Sequence, residues 1–214
     1  GVDFAGASAC AAAPCASGSP SARRLSTTWV FEGELFLFGG RRGSEQLSDL
    51  WAFQPESNNW RWISDASAER CAACTSDCEE DVLICERCVA NVSPRAVIDS
   101  VVYHVDRKTY LSGGSLMNGQ VTGDLYEFDH ATNVWTELLG GAGVNVTLGN
   151  FPGPHASSAG IPSATDSDLV FLHVGLTQTC NGSVLPNSLW RYSVQNNSYA
   201  LERAVSTFGL PCAV

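Results

Sequence analysis

Lysine is almost missing from this chain. Lys108 is the only one, and arginine carries the rest of the positive charge. Twelve basic side chains stand against 22 acidic ones, and the net charge of −10 has the wrong sign for gripping a phosphate backbone, so no nucleic-acid partner is expected. No apolar run approaches the ~20 residues that cross a bilayer, so no membrane span is expected either. Charged residues make up only 16% of the chain and hydrophobic ones 44%, which excludes a disordered acidic tail and calls for a packed core. Catalytic signatures are absent as well: there is no GxSxG, P-loop or HExxH motif. The four histidines at 104, 130, 155 and 173 show no i,i+3 or i,i+4 pairing with another histidine or a cysteine. No catalytic residue, metal site or cofactor is therefore expected, and the acidic turn residues Asp129, Asp166 and Asp168 read as a solvated face. The chain opens at Gly1 without an initiator Met or a leader-like stretch, and is expected to be a processed or partial segment.

Cysteine is abundant by contrast. Cys10, Cys15, Cys71, Cys74, Cys78, Cys85, Cys88, Cys180 and Cys212 include five within 18 residues. Two CxxC pairs allow a zinc reading, but only ten residues separate them and Cys78 lies between. Disulfides in an oxidising compartment are the preferred expectation, with one cysteine of the odd nine left free or paired outside the chain. Asn-x-Ser/Thr sequons at Asn91, Asn145, Asn181 and Asn196 point the same way, with Pro94 weakening the first. An extracellular or cell-surface glycoprotein is the expected setting.

Self-comparison finds one unit written three times. The first copy holds Leu35-Phe-Leu-Phe-Gly39-Gly40, then Asp49-Leu50-Trp51-Ala52-Phe53, then Trp60. The second holds Thr109-Tyr-Leu-Ser-Gly113-Gly114, then Asp124-Leu125-Tyr126-Glu127-Phe128, then Trp135. The third holds Val170-Phe-Leu-His-Val174-Gly175, then Ser188-Leu189-Trp190-Arg191-Tyr192, then Tyr199. In each copy the last aromatic comes seven residues after the second one. The alternation of Leu–aromatic–x–aromatic fits a strand with two unlike faces, and the spacers are turn-rich. A first strand is predicted before each glycine pair, over Arg24 to Phe31, Val97 to Val105 and His155 to Ile161. The apolar run that ends in the glycine pair is expected to be a buried inner strand.

These residues resemble the kelch repeat, a di-glycine followed by a polar–Leu–aromatic strand and a Trp at fixed spacing. The combination with a Cys-rich segment is similar to the extracellular, attractin-like type. The resemblance covers residues 20–204 and implies an all-β fold: a kelch-type β-propeller segment of three four-stranded antiparallel blades, part of a larger propeller. The expected organisation is a Cys-containing linker or module end (1–19), blade 1 (20–64), a Cys-rich insertion (65–92), blade 2 (93–140), blade 3 (141–204) and the start of a further blade or a truncated end (205–214). Three blades leave two sheet faces bare, so further blades or associated copies are expected to cover them. In this scheme Cys212 either pairs with Cys180 or reaches a partner beyond this segment.

Aromatics at repeat positions are assigned to blade packing, and those outside the repeat (Trp29, Trp62 and Phe151) become candidates for partner contact. The loops after the glycine pairs add Arg41, Arg42 and Met117, since kelch propellers commonly meet partners on that side. The expected function is a non-catalytic scaffold that presents these loops to a protein partner, to neighbouring subunits of an extracellular assembly, or to a glycan. Two alternatives stand beside it: the propeller of a galactose-oxidase-like copper enzyme, and a cytosolic kelch adaptor that recruits clients for ubiquitin transfer.

Overall fold

The computed structural model describes residues 18–64, 93–140, 152–179, 182–185 and 187–203. All nine cysteines, the sequons at Asn91, Asn145 and Asn181, Phe151 and the insertion at 65–92 lie outside these residues. Three four-stranded antiparallel sheets follow one another along the chain. Blade 1 is β1 (Thr27–Phe31), β2 (Glu34–Arg42), β3 (Glu45–Gln54) and β4 (Asn59–Ser64), paired in sequence order. Blade 2 is β5 (Val101–Val105), β6 (Lys108–Ser112), β7 (Leu125–Asp129) and β8 (Val134–Leu139). In the third blade, β10 (Ala159–Pro162), β11 (Leu169–Val174), β14 (Ser188–Ser193) and β15 (Ser198–Arg203) form the sheet. A small extra sheet hangs from it, made by β9 (His155–Ala156), β12 (Leu176–Thr179) and β13 (Gly182–Val184).

The repeated spacing of aromatics has a direct cause in strand register. Phe53 lies opposite Trp60, Phe128 opposite Trp135 and Tyr192 opposite Tyr199. The seven-residue interval is what a short hairpin needs to bring its two aromatics face to face as a cross-strand pair. The pairing of the third strand with the fourth slips at the same place in every blade, between Leu50 and Trp51, Leu125 and Tyr126, and Leu189 and Trp190. The extra residue, Ile63, Leu138 or Glu202, lies in the fourth strand, where a bulge bends the strand and increases its twist.

The sheets pack face to face through two cores. Between blades 1 and 2 lie Trp29, Phe36, Phe38, Leu50 and Ile63 from one side and Leu111, Tyr126, Phe128 and Trp135 from the other. Between blades 2 and 3 lie Val101, Tyr103, Tyr110 and Leu125 against Leu172, Trp190, Tyr192 and Tyr199. Aromatic rings fill both: Trp135 sits 4.8 Å from Phe128 and 5.7 Å from Phe38, and Tyr103 stacks on Tyr110 at 5.5 Å. The repeat-position aromatics of blades 2 and 3 therefore pack between blades, whereas Trp51, Phe53 and Trp60 of blade 1 lie outside both cores. Trp29 corrects the sequence reading. It is 4% exposed and stacked on Phe36, so it is core and not a free contact residue.

Two further expectations change. The first strands of adjacent blades, β5 with β1 and β5 with β10, touch one another across the blade boundaries. The axis is thus lined by the first strands, and the glycine-pair strand comes second. Each predicted first strand is also split in two. Leu25, Asp99 and Ser157 adopt left-handed backbone (φ 60, 56 and 50) two residues ahead of β1, β5 and β10. The residue before each one instead pairs with the residue that follows the glycine pair: Arg24 with Arg41, Ile98 with Ser115, and Ala156 with Leu176. Alternation alone does not reveal a single reversed residue, because the pattern resumes on the far side of it.

Candidate functional site

The glycine pairs set up one end of the blades by letting two backbones close. A Cβ on Gly40 would fall 2.4 Å from Ser26 Oγ, and one on Gly114 3.0 Å from the Ile98 carbonyl, both within their own blade. The preceding glycine serves the next blade. A Cβ on Gly113 would fall 2.2 Å from the His155 carbonyl, and one on Gly39 3.1 Å from that of Val97. With φ values of +61 to +117 at these four positions, no larger residue fits comfortably. Gly114 N–H then donates to His155 O at 2.7 Å and His155 N–H to Thr122 O at 3.0 Å, stitching blade 2 to blade 3.

Ion pairs on buried carboxylates fix the approach to the same end. Arg23 Nη2 lies 2.9 Å from Asp49 Oδ2, both side chains being nearly buried, and Trp51 Nε1 donates to the same carboxylate oxygen at 2.7 Å. Blade 2 repeats the device with Arg95 Nε and Asp124 Oδ2 at 3.0 Å. In blade 3 Ser188 takes the acidic position and receives Trp190 Nε1 at 3.0 Å. The acidic residue of the repeat is thereby assigned an architectural job.

Histidines line the blade boundaries. His155 is fully buried, its Nδ1 donating to Gly153 O at 2.7 Å and its Nε2 accepting from Ser112 Oγ at 3.1 Å, and desolvation lowers its pKa. His130 stacks on Phe31 of blade 1 at 3.8 Å, and its Nε2 lies 2.7 Å from Thr109 Oγ1. The same hydroxyl lies 2.9 Å from His104 Nδ1. Burial first, then the neighbouring His104, pushes His130 down to about 4. His173 is exposed and held by Asn187 Oδ1 at 2.8 Å. The acidic turns are occupied too. Asp129 accepts backbone N–H groups from Ala131 and Thr132, and Asp168 accepts from Ser193 Oγ and Gln195 N–H, which lowers its pKa. Among the described residues no three His, Cys, Asp or Glu side chains gather as metal ligands.

Two surfaces remain. One is an open groove of about 630 Å³ at the axis, lined by equivalent stretches of all three blades: Leu25–Thr28, Asp99–Val102 and Ser157–Gly160. Hydroxyl groups dominate it, and Thr27 Oγ1 and Ser100 Oγ join across the blade boundary at 2.9 Å. The other is the loop end. There the β2–β3 turn and the 116–120 turn are tied together by Gln46 Nε2 donating to Ser115 O at 3.1 Å. Arg41 is partly exposed with its Nε on Gly43 O, Arg42 pairs with Glu45, and Met117 is 65% exposed. Arg24, which no pattern in the sequence singles out, joins them by pairing with Arg41. Only the turn back at Leu25 brings it there, a feature without a sequence signal.

Of the other candidates, Trp62 lies half-buried opposite Trp51, outside the core between blades 1 and 2. Asn196 is exposed in the β14–β15 turn, its side-chain amide donating to Ser193 Oγ at 3.0 Å.

Comparison with known proteins agrees with this geometry. Residues 22–65 and residues 97–138 each match the kelch motif. The chain is 26% identical over 153 residues to a Rho GTPase-activating protein, gacHH, of Dictyostelium discoideum. That match covers 68% of this chain and 8% of the other protein's length. Two kelch motifs, each lying on a four-stranded sheet that stacks against its neighbour, give this chain an all-β fold that matches part of a kelch-type β-propeller.

Proposed function

We propose that this chain is a non-catalytic interaction module of an extracellular or cell-surface glycoprotein, and that its loop end meets a protein partner. The observation that supports it most is the union of the two turns through Gln46 and Ser115, which presents Arg41, Arg42 and Met117 as one surface. None of these three side chains is used by the blade cores. Kelch repeats serve in general as protein-interaction modules, and fold alone goes no further than that.

The extracellular setting rests on the nine cysteines and on the sequons, of which Asn145, Asn181 and Asn196 are the best acceptors and Asn91 the weakest. Intact mass before and after reduction and enzymatic deglycosylation tests it. Disulfide-linked cysteines and removable sugar mass are expected, whereas nine free thiols and an unmodified chain would overturn it. A second reading comes from the match to a Rho GTPase-activating protein, of which this chain spans 8%. There the module would be one arm of a larger signalling protein, and the same mass measurement separates the two.

A further inference from the structure

Arginines in this structure are almost all spoken for. Of the ten described arginines and lysines, seven hold a carboxylate: Arg23, Arg42, Arg61, Arg95, Arg107, Lys108 and Arg191. Arg24, Arg41 and Arg203 hold none among the described residues. Two of these three are direct cross-strand neighbours. Arg24 N–H donates to Arg41 O at 3.0 Å and Arg41 N–H to Arg24 O at 2.8 Å, an antiparallel pair whose side chains share a face.

Like charges placed directly opposite destabilise a sheet. The repeat shows that the blade does not require them, because the equivalent pairs are Ile98 with Ser115 in blade 2 and Ala156 with Leu176 in blade 3. In a chain of net charge −10, two adjacent unpaired cations at a position that tolerates Ile–Ser or Ala–Leu have no architectural explanation. They make sense if something anionic sits between them. Arg41 Nε is anchored on Gly43 O at 2.9 Å, which leaves the two Nη groups of its fork for a ligand. The whole Arg24 fork is available as well.

We infer that Arg24 and Arg41 form a clasp for a carboxylate side chain of an acidic protein segment docking on the loop end, with exposed Met117 meeting an apolar neighbour of that acid. This rests on the loop-end reading of the function and names its chemistry. A peptide is favoured over a polyanion such as a glycosaminoglycan or nucleic acid. Arg23 and Arg42 beside them are already held by Asp49 and Glu45, so the unpaired charge is two residues wide and matches a single carboxylate better than a long uniform anion.

The test uses a fluorescein-labelled decapeptide of alternating Glu and Leu, the same peptide with Gln for Glu, and heparin, read by fluorescence anisotropy on the intact chain. The Glu peptide is expected to bind and to weaken as salt rises, and the Gln peptide to bind at least about tenfold more weakly. Replacing both arginines by their blade 2 counterparts, Arg24→Ile with Arg41→Ser, is expected to lower Glu-peptide affinity by at least about tenfold. Arg203→Gln, which removes the third unpaired cation, is expected to leave it unchanged. Because the double variant removes a like-charge pair, it should unfold at the same temperature as the parent or higher. A lower unfolding temperature would make the arginines structural and overturn the clasp. Equal affinity for the two peptides, or tight heparin binding without peptide binding, would also overturn it. Peptide binding that survives the double variant but is lost in Met117→Asp would overturn the clasp and leave the loop-end reading standing.

Discussion

Acidification should loosen the boundary between blades 1 and 2, and His130 sets the size of the effect. Its ring lies flat on Phe31, edge-on to Phe36 and Phe128, and its Nε2 shares the Thr109 hydroxyl with His104. Thr109 is fully buried, so its single proton can serve one imidazole acceptor while the other imidazole donates. Protonating the accepting imidazole would leave two imidazole donors facing one oxygen. The charged groups around the ring are Glu32 and Asp129, which favour the cation, and Arg107 and His104, which oppose it. Burial decides the balance and holds the group near 4 against an ordinary 6.5. Between those two values the unfolded chain takes a proton that the folded chain refuses, so stability falls as pH falls from about 6.5 towards 4.

Taken at full value, the step from pH 7 to pH 5 would remove about 2 kcal/mol. The ring is only half-buried and water screens it, so about 1 kcal/mol is expected, or roughly 2–4 °C in unfolding temperature. His104 and His155, whose pKa values are lowered by desolvation, add to the loss in the same direction. Urea unfolding at both pH values, for the parent chain and for His130→Gln, measures it. The glutamine keeps a polar group beside Thr109 but cannot titrate, so the variant should lose about 1 kcal/mol less than the parent between the two pH values. An identical loss in parent and variant would refute this account of the boundary.

Gly113→Ala should cost more than about 2 kcal/mol, because its Cβ would fall 2.2 Å from a carbonyl at φ +66. Gly43→Ala, with open space around it at φ +59, should cost about 1 kcal/mol. Thermal unfolding of the two variants gives the comparison, and equal losses would contradict the close blade contact. Trp135→Ala should cost about 3–5 kcal/mol, and Trp60→Ala, at the equivalent position but only partly buried and outside the blade cores, roughly half of that by chemical denaturation. Asp49→Asn should cost about 2–4 kcal/mol by the same assay, since it strands the nearly buried guanidinium of Arg23.

Local patterns along the chain were enough to fix the strand type, the hairpin register and the three-fold repetition. Period-2 alternation and a seven-residue aromatic interval are properties of neighbouring residues, and Phe53–Trp60, Phe128–Trp135 and Tyr192–Tyr199 meet as that interval requires. The loop candidates Arg41, Arg42 and Met117 were legible for the same reason, since they follow the glycine pairs. Tertiary structure alone decided what lies across blade boundaries. Thr27 meets Ser100 over 73 positions and Glu32 meets Arg107 over 75, separations at which no periodicity carries information. Trp29 shares its register with Tyr103 of blade 2, each stacked on a second-strand aromatic, and the packing of blade 2 on blade 1 buries it. The burial of His130 under Phe31 arises the same way. The left-handed residues at Leu25, Asp99 and Ser157 were illegible because two of the three are residue types that do not advertise that conformation. They turn the chain so that Arg24 faces Arg41, a juxtaposition that exists only once the sheet is folded back on its own lead-in.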